Sequence, residues 1–295
     1  MGVKEYIKDE INVFGQWKNA REISTFKGGG NAFVFYPQSI EKAVELISVL
    51  HSENIDFSML GKGSNTLISD GDCNLVLISL KHLNKVEFFG DSVVCECGAS
   101  VRKIAESGRE KGLGGLEFLS GVPCSLGGAL KMNAGAFSSQ IADYITKLYV
   151  LTPYCVNCDK MRIEEKSACE CDFSYRQGAS GIVLKAELLL CGKSREQSIC
   201  EAQSYLAIRR QKQPALPSLG SVFKNGAIAS GKLLDECKLK GMKIGGAKVS
   251  RIHANFIVND GGATASDYLN LANFCKKVVF EKTGILLEEE YCVVW

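Results

Sequence analysis

No window of this 295-residue chain is apolar enough to span a bilayer, since even the run from Ile182 to Cys191 is broken by Lys185 and Glu187. The opening segment MGVKEYIKDEINVFGQW has charges spread through it and lacks the unbroken apolar core of a signal peptide. Together these absences set the expectation of a cytoplasmic protein with no membrane partner. An excess of charge of one sign is also missing. Thirty-five Lys and Arg against 33 Asp and Glu leave a formal net charge of +2, so nucleic acid is not expected as a partner. There is no internal repeat and no low-complexity segment.

What is present is an ordinary globular composition, 46% hydrophobic and 23% charged, in a chain long enough for two or three domains. Thirteen cysteines is a high and odd count. Without an export signal they read as reduced thiols used as small apolar side chains. Cys155-x-x-Cys158 followed by Cys169-x-Cys171 offers four thiolates to a zinc ion. The one-residue spacer of the second pair and the hairpin strand MRIEE between the pairs argue against it, so no metal is expected. Cys95 and Cys97 alternate along a strand and share a face, which is a packing pattern.

The chain is organised around Gly112 to Phe137, GLGGLEFLSGVPCSLGGALKMNAGAF, which has neither helical nor strand periodicity. Glycines at 114, 115, 121, 127 and 128 let backbone amides face an anion or lie flat against a ring, so the stretch reads as a cradle for a buried ligand. The alternative is a set of tight turns between packed elements. A second glycine motif, Gly61-Lys-Gly-Ser-Asn65, follows the short strand Phe57 to Leu60. Thr66 stands where a dinucleotide fingerprint needs its third glycine, so a Rossmann site is disfavoured, while a phosphate-binding nest is retained.

Ser39 precedes a helix with Ile40, Ala43, Val44, Ile47 and Leu50 on one face, and Ser100 precedes another. Between them fall a strand over 75–80 and a hairpin, 85–89 with 92–97, around Gly90-Asp91. A helix is expected over 4–14. Strands at 147–152 and 182–190 and a charged helix from Ser194 to Gln211 lead to Pro214 and Pro217, the best boundary in the chain. Beyond it the pattern gives a helix over 230–239, a turn at Gly245-Gly246, a strand over 254–258, a helix over 266–282 and a final strand over 285–295. Strands in runs, rather than in βαβ alternation, indicate an α+β protein.

Gly61-Lys-Gly-Ser-Asn65, Ser120-Gly-Val-Pro123 through Gly127-Gly128 to Met132-Asn-Ala-Gly-Ala136, Phe173-Ser-Tyr-Arg176, Gly220-Ser-Val-Phe-Lys-Asn225, Gly231-Lys-Leu-Leu-Asp-Glu236, Ile244-Gly-Gly246, His253-Ala-Asn-Phe-Ile-Val-Asn259 and the closing glutamates come in this order. In that order they resemble the UDP-N-acetylenolpyruvoylglucosamine reductase family, in its shorter form without the inserted substrate-covering loop. The resemblance implies a two-lobed FAD-binding module of the vanillyl-alcohol oxidase type, lobes 1–84 and 85–212, and a smaller α+β substrate-binding domain over 213–295. It also implies FAD as cofactor, NADPH as co-substrate, a nucleotide-sugar substrate in peptidoglycan precursor synthesis, and a monomer or weak oligomer.

Carried residue by residue, the resemblance makes Ser221 the proton donor, Arg176 the cation that polarises the substrate carboxylate, and Glu290 the acid completing the set. Gly61, Gly63, Ser64 and Asn65 fall to the FAD pyrophosphate, Gly121, Val122, Gly128, Asn133 and Ala136 along the cofactor, and Val183 near its ring. Lys224 and Asn225 are expected on the substrate diphosphate. The bland alternatives are a surface ion pair for Arg176, a turn hydroxyl for Ser221 and a solvated loop for 224–225. On a strand Glu288 and Glu290 share one face and Glu289 points away. The chain departs from the family pattern at Gly226, usually proline, and at Tyr291, usually aliphatic. His253 is read as structural. The rival readings are an FAD oxidase on the same module and a non-catalytic flavin or nucleotide-sugar binder.

Overall fold

The computed structural model describes residues 11–153 and 161–295. Most of the helix expected over 4–14, and Cys155 and Cys158, lie outside them; Ile11 and Asn12 form a turn. The chain divides into two units, each assembled from separate segments. Unit 1 comprises 1–16, 34–61 and 76–207, and unit 2 comprises 17–33, 62–75 and 208–295.

Unit 1 contains an antiparallel five-stranded sheet in the order Met161–Ser167, Ile145–Pro153, Ile182–Leu189, Ser92–Glu96, Val86–Phe89. The last two form the expected hairpin, with Phe89 opposite Ser92 across Gly90-Asp91. Gly90 takes φ +62°, the left-handed region that favours glycine in such a turn. Cys95 and Cys97 are both buried, as alternation requires, and burial pushes the Cys95 thiol up to about 12. Phe57–Met59 runs parallel to Val76–Ile78, within the strand Asp72–Ile78.

The helix Ile40–Ser52 begins where Ser39 accepts from the Lys42 amide and buries Ala43, Leu46, Ile47 and Leu50. That stripe at spacings of three and four is what holds a helix of this length to a core. The helix Val101–Arg109 starts after Ser100 as expected, but the Ser100 hydroxyl does not cap it. Ser100 instead bridges Ser125, and the Val101 amide reaches the Cys124 carbonyl. The stretch 112–137 is therefore tied to this helix start. The charged helix Arg195–Lys212 buries Ser198 and Ala202.

Unit 2 has an antiparallel sheet in the order Ser218–Ser221, Phe256–Asn259, Ala247–Val249, Lys243–Ile244. Its core includes Phe26, Leu219, Phe223, Leu234, Ile257, Tyr268, Leu271 and Val279. The helix Ala265–Thr283 supplies the last three and closes on Gly284 at φ +71°. Asp70 reaches its first turn, accepting from Ala265 and Ser266 amides at 2.8 and 2.9 Å. The final strand is shorter than expected: only Cys292–Val294 pairs, and it does so parallel to Thr66–Ile68. Residues 285–291 make a single bridge, Glu289 to Phe223, because the neighbouring segment bends at Val222.

Candidate active site

In unit 2 the chain brings Ser221, Lys224, Asn65 and Glu290 onto one backbone framework. The Glu290 amide donates to the Val222 carbonyl and the Lys224 amide to the Glu288 carbonyl, both at 2.8 Å. From the other side the Asn65 side-chain amide donates to the Glu290 carbonyl at 2.9 Å, while the Asn65 carbonyl accepts from Cys292. Val222, next to Ser221, is thus hydrogen-bonded to the backbone of Glu290. Ser221 itself ends its strand after Gly220, whose φ of +79° suits glycine at the bulge there.

The three closing glutamates have different surroundings. Glu288 is exposed and ion-paired with Lys224, and Glu289 pairs with Lys276 at 2.6 Å. Glu290 is half-buried with its Oε2 shielded from solvent. Tyr291, where the family has an aliphatic residue, is buried edge-on against Tyr268, ring centroids 4.9 Å apart, and burial and then Glu289 push its hydroxyl up to about 12. At Gly226 an added Cβ would meet nothing, so the missing proline leaves no hole.

Two buried asparagines, which motif order names but composition does not flag, fix this framework. Asn255 accepts from the Phe223 amide at 3.0 Å and donates to the Phe223 carbonyl at 2.8 Å, as a strand neighbour would. Asn259 donates to Phe26 and Lys27 carbonyls and accepts from Gly261 and Ala263 amides. His253 accepts from the Asn255 amide through Nδ1 at 3.2 Å. Burial, then the Lys240 charge, lowers its pKa, so at neutral pH it is an uncharged acceptor in a structural position. Asn225 accepts from the Ser230 amide at the start of helix Ser230–Glu236.

In unit 1 the glycine-rich stretch folds into the short helix Leu126–Lys131, flanked by left-handed residues at Asn133, Phe137 and Ser138. The first helical amides are already bonded: Leu126 to the Ala99 carbonyl, Gly127 to the Cys97 carbonyl and Gly128 to the Ser125 hydroxyl. The other glycine motif is the loop 61–65. There the Gly63 carbonyl accepts from Thr25, while the Gly63 and Ser64 amides face no acceptor among the described residues. Gly61 is exposed, and a Cβ on it would lie 3.0 Å from the Ser125 hydroxyl. Donors without partners beside glycines that permit close approach are what a pyrophosphate requires, so these residues fit the phosphate end of FAD. Gly121, Val122, Gly128 and Ala136 are half-buried or exposed on the same stretch, and Val183 is half-buried on Ile182–Leu189.

Asn133 is 3% exposed and its side chain is committed inside the protein, so what it can offer a bound flavin is its backbone. Arg176 is the second central residue of a tight turn, with Ser174 and Gln177 exchanging hydrogen bonds at 2.9 and 3.1 Å. Its φ is +59°, where glycine or asparagine is usual, and its guanidinium lies 5.3 Å from the Tyr175 ring centroid. Sequence reasoning did not find Glu117. It is buried and receives the Ser198 hydroxyl at 2.6 Å, the Gly115 amide at 2.7 Å and Lys193 at 3.2 Å. A carboxylate inside the apolar run LEFL was the available signal. Among the described residues no group of three or more His, Cys, Asp or Glu could hold a metal ion, and no helix is long and apolar enough to cross a membrane.

Residues 31–154 match the model of an FAD binding domain, and residues 211–294 match the UDP-N-acetylenolpyruvoylglucosamine reductase C-terminal domain. The reductase of that name from Listeria monocytogenes is 40% identical over 272 residues, 91% of this chain and 90% of the relative. That from Borrelia garinii is 35% identical over 298 residues, 96% and 94% of the two chains. The chain belongs to the UDP-N-acetylenolpyruvoylglucosamine reductase family. The crystal structure of the reductase from Thermus caldophilus superposes with a TM-score of 0.80 at 28% identity, over 96% of this chain and all of that one. A berberine bridge enzyme variant shares the fold at a TM-score of 0.50 and 14% identity, over 65% of this chain and 44% of that one. The architecture is thus α+β with the FAD module of the vanillyl-alcohol oxidase type. As a member of the reductase family the protein is an FAD-containing oxidoreductase with NADPH as co-substrate, reducing an enolpyruvyl nucleotide sugar for peptidoglycan precursor synthesis.

Proposed function

We propose that Ser221, Arg176 and Glu290 carry the reduction of the enolpyruvyl ether of UDP-N-acetylglucosamine enolpyruvate to UDP-N-acetylmuramate, in the cytoplasm, as a step on which cell shape and division depend. Bound FAD supplies the relay by which hydride from NADPH reaches the enolpyruvyl methylene carbon. As that carbon gains hydride, the electron pair of the double bond moves onto the neighbouring carbon and into its carboxylate. Arg176 holds the carboxylate and lowers the energy of this charge. Ser221 Oγ–H then gives its proton to the carbon, completing the saturated lactyl ether, and Glu290 orients the reacting end. Serine is a weak acid, and the transfer is reasonable only to a strongly basic enolate. Lys224 exchanges its Glu288 partner for the substrate diphosphate, with Asn225 beside it. The Gly61, Gly63, Ser64 and Asn65 loop takes the cofactor pyrophosphate, with the substrate-binding domain beginning after Pro214 and Pro217.

The observation that supports this reading best is the backbone framework of Asn65, Val222 and Glu290, because it joins a cofactor residue, the neighbour of the proposed donor and the proposed acid. Anaerobic stopped flow tests it. NADPH should bleach the flavin and the enolpyruvyl nucleotide should restore it. Ser221→Ala is expected to bleach at the normal rate and to re-oxidise at least a hundredfold more slowly; normal turnover would remove Ser221 from the role.

A further inference from the structure

Arg176 sits in a conformation that an arginine does not hold by itself. Its φ of +59° at the second central position of the Ser174 to Gln177 turn is in the left-handed region that a side chain with a Cβ disfavours, and such positions persist where their surroundings over-determine them. Two anchors do so, and both come from the end of helix Leu126–Lys131. The Gly178 amide donates to the Lys131 carbonyl at 3.1 Å, with the backbones so close that a Cβ at 178 would fall 1.7 Å from the Leu130 carbonyl oxygen. On the other side of the turn, Asn133 Nδ2 donates to the Ser174 carbonyl at 3.1 Å, the same oxygen that closes the turn with Gln177.

The orientation of the Asn133 amide is fixed by its remaining partners. Its second N–H goes to Gln140 Oε1 at 2.9 Å, and its Oδ1 accepts from the Ala142 amide at 3.2 Å. Flipping it would set a donor against a donor and an oxygen against two acceptors. Both hydrogens of this buried amide are therefore committed, one of them to the arginine's turn.

We propose that Asn133 is a positioning residue for Arg176: it sets the turn that presents the guanidinium to the substrate carboxylate, and its side chain is not a flavin ligand. This rests on the reading of Arg176 as the carboxylate cation. It places the arginine in fixed register with the glycine-rich stretch, so that one short helix positions backbone for the cofactor and the cation for the substrate.

The test uses the flavin-loaded oxidised protein and calorimetric titration with two ligands, the enolpyruvyl nucleotide and UDP, which lacks the carboxylate. Asn133→Asp keeps size and acceptor while removing both donors; Asn133→Ser serves in its place if the aspartate variant does not fold. Either should retain wild-type flavin content and UDP affinity but bind the enolpyruvyl nucleotide about tenfold more weakly. In an Arg176→Ala background the same change should add no more than about twofold. Gln140→Ala, which leaves the Ser174 bond in place, should bind both ligands as the wild type does. Loss of flavin by the Asn133 variants, equal weakening of both ligands, additivity with Arg176→Ala, or a Gln140→Ala protein as impaired as Asn133→Asp would each overturn the proposal. If Arg176→Ala alone binds the enolpyruvyl nucleotide normally, the reading of Arg176 fails first. If Arg176→Ala is impaired and the Asn133 variants are not, only the positioning role fails.

Discussion

The side-chain amide of Asn65 donates to the main-chain carbonyl of Glu290 at 2.9 Å, joining residues 225 positions apart. A residue from the loop proposed for the cofactor pyrophosphate thus also holds the segment that carries the proposed acid. Asn65→Ala should lower stability by about 1 kcal/mol, the typical net value of one such bond, as read by urea denaturation. It should also slow flavin re-oxidation by the enolpyruvyl nucleotide more than reduction by NADPH, which stopped flow separates.

Asn255 pairs with both backbone groups of Phe223 and is 2% exposed. Asn255→Leu leaves a buried N–H and C=O without partners and is expected to cost about 2–4 kcal/mol of unfolding free energy. Asn255→Asp keeps the acceptor and should cost less. Denaturant melts of the two variants check the order, and an equal cost would show that an aspartate oxygen set against the Phe223 carbonyl cancels the gain from the acceptor it keeps.

Glu117 is a buried carboxylate whose environment acts in two directions. Burial raises its pKa, but the Ser198 hydroxyl, the Gly115 amide and Lys193 together outweigh it and hold the group below its ordinary 4.5. A depressed carboxylate contributes stability above the unfolded value and loses it as pH falls through the folded one. Melting temperature should therefore fall on acidification below about pH 4.5, and Glu117→Gln should flatten that part of the profile. At neutral pH Glu117→Ala should cost about 2–3 kcal/mol, because it leaves the buried Gly115 amide and Ser198 hydroxyl without their acceptor, while Lys193 keeps Glu201 at 2.6 Å.

His253 works on the same principle at higher pH. Burial and Lys240 lower its pKa from the ordinary 6.5, so as pH falls the unfolded chain takes up the proton first. Stability from this group is complete above 6.5, declines as pH drops below it, and levels off beneath the folded value. His253→Gln should remove the decline. Melting curves between pH 7 and pH 5 would show whether it does.

Local features were legible in the sequence where neighbours decide them. Ser39 and the stripe Ile40, Ala43, Val44, Ile47 and Leu50 announce a helix, and Gly90-Asp91 announces a hairpin, because cap, period and turn chemistry act within a few residues. The end of the chain was not legible in the same way. Residues 285–291 alternate like a strand, yet their partner at 222–224 is bent, so one bridge forms and pairing waits for Cys292–Val294 against Thr66–Ile68. Site residues were named through motif order, but order says nothing of what each side chain does. Asn133 and Asn255 look alike in sequence as polar residues near glycine or apolar runs. In the fold each substitutes for a missing backbone partner, Asn133 at Ser174 and Ala142 and Asn255 at Phe223.

The parallel pairing of Cys292–Val294 with Thr66–Ile68 has a consequence for biosynthesis. While a ribosome is still adding the intervening two hundred or so residues, Asn65 has neither Glu290 nor Cys292 to hold it, and contacts of such long range form slowly. The nascent chain can build its hairpins and helices early, but the loop 61–65 acquires these bonds only after that late segment emerges, so whatever the loop binds is captured only then.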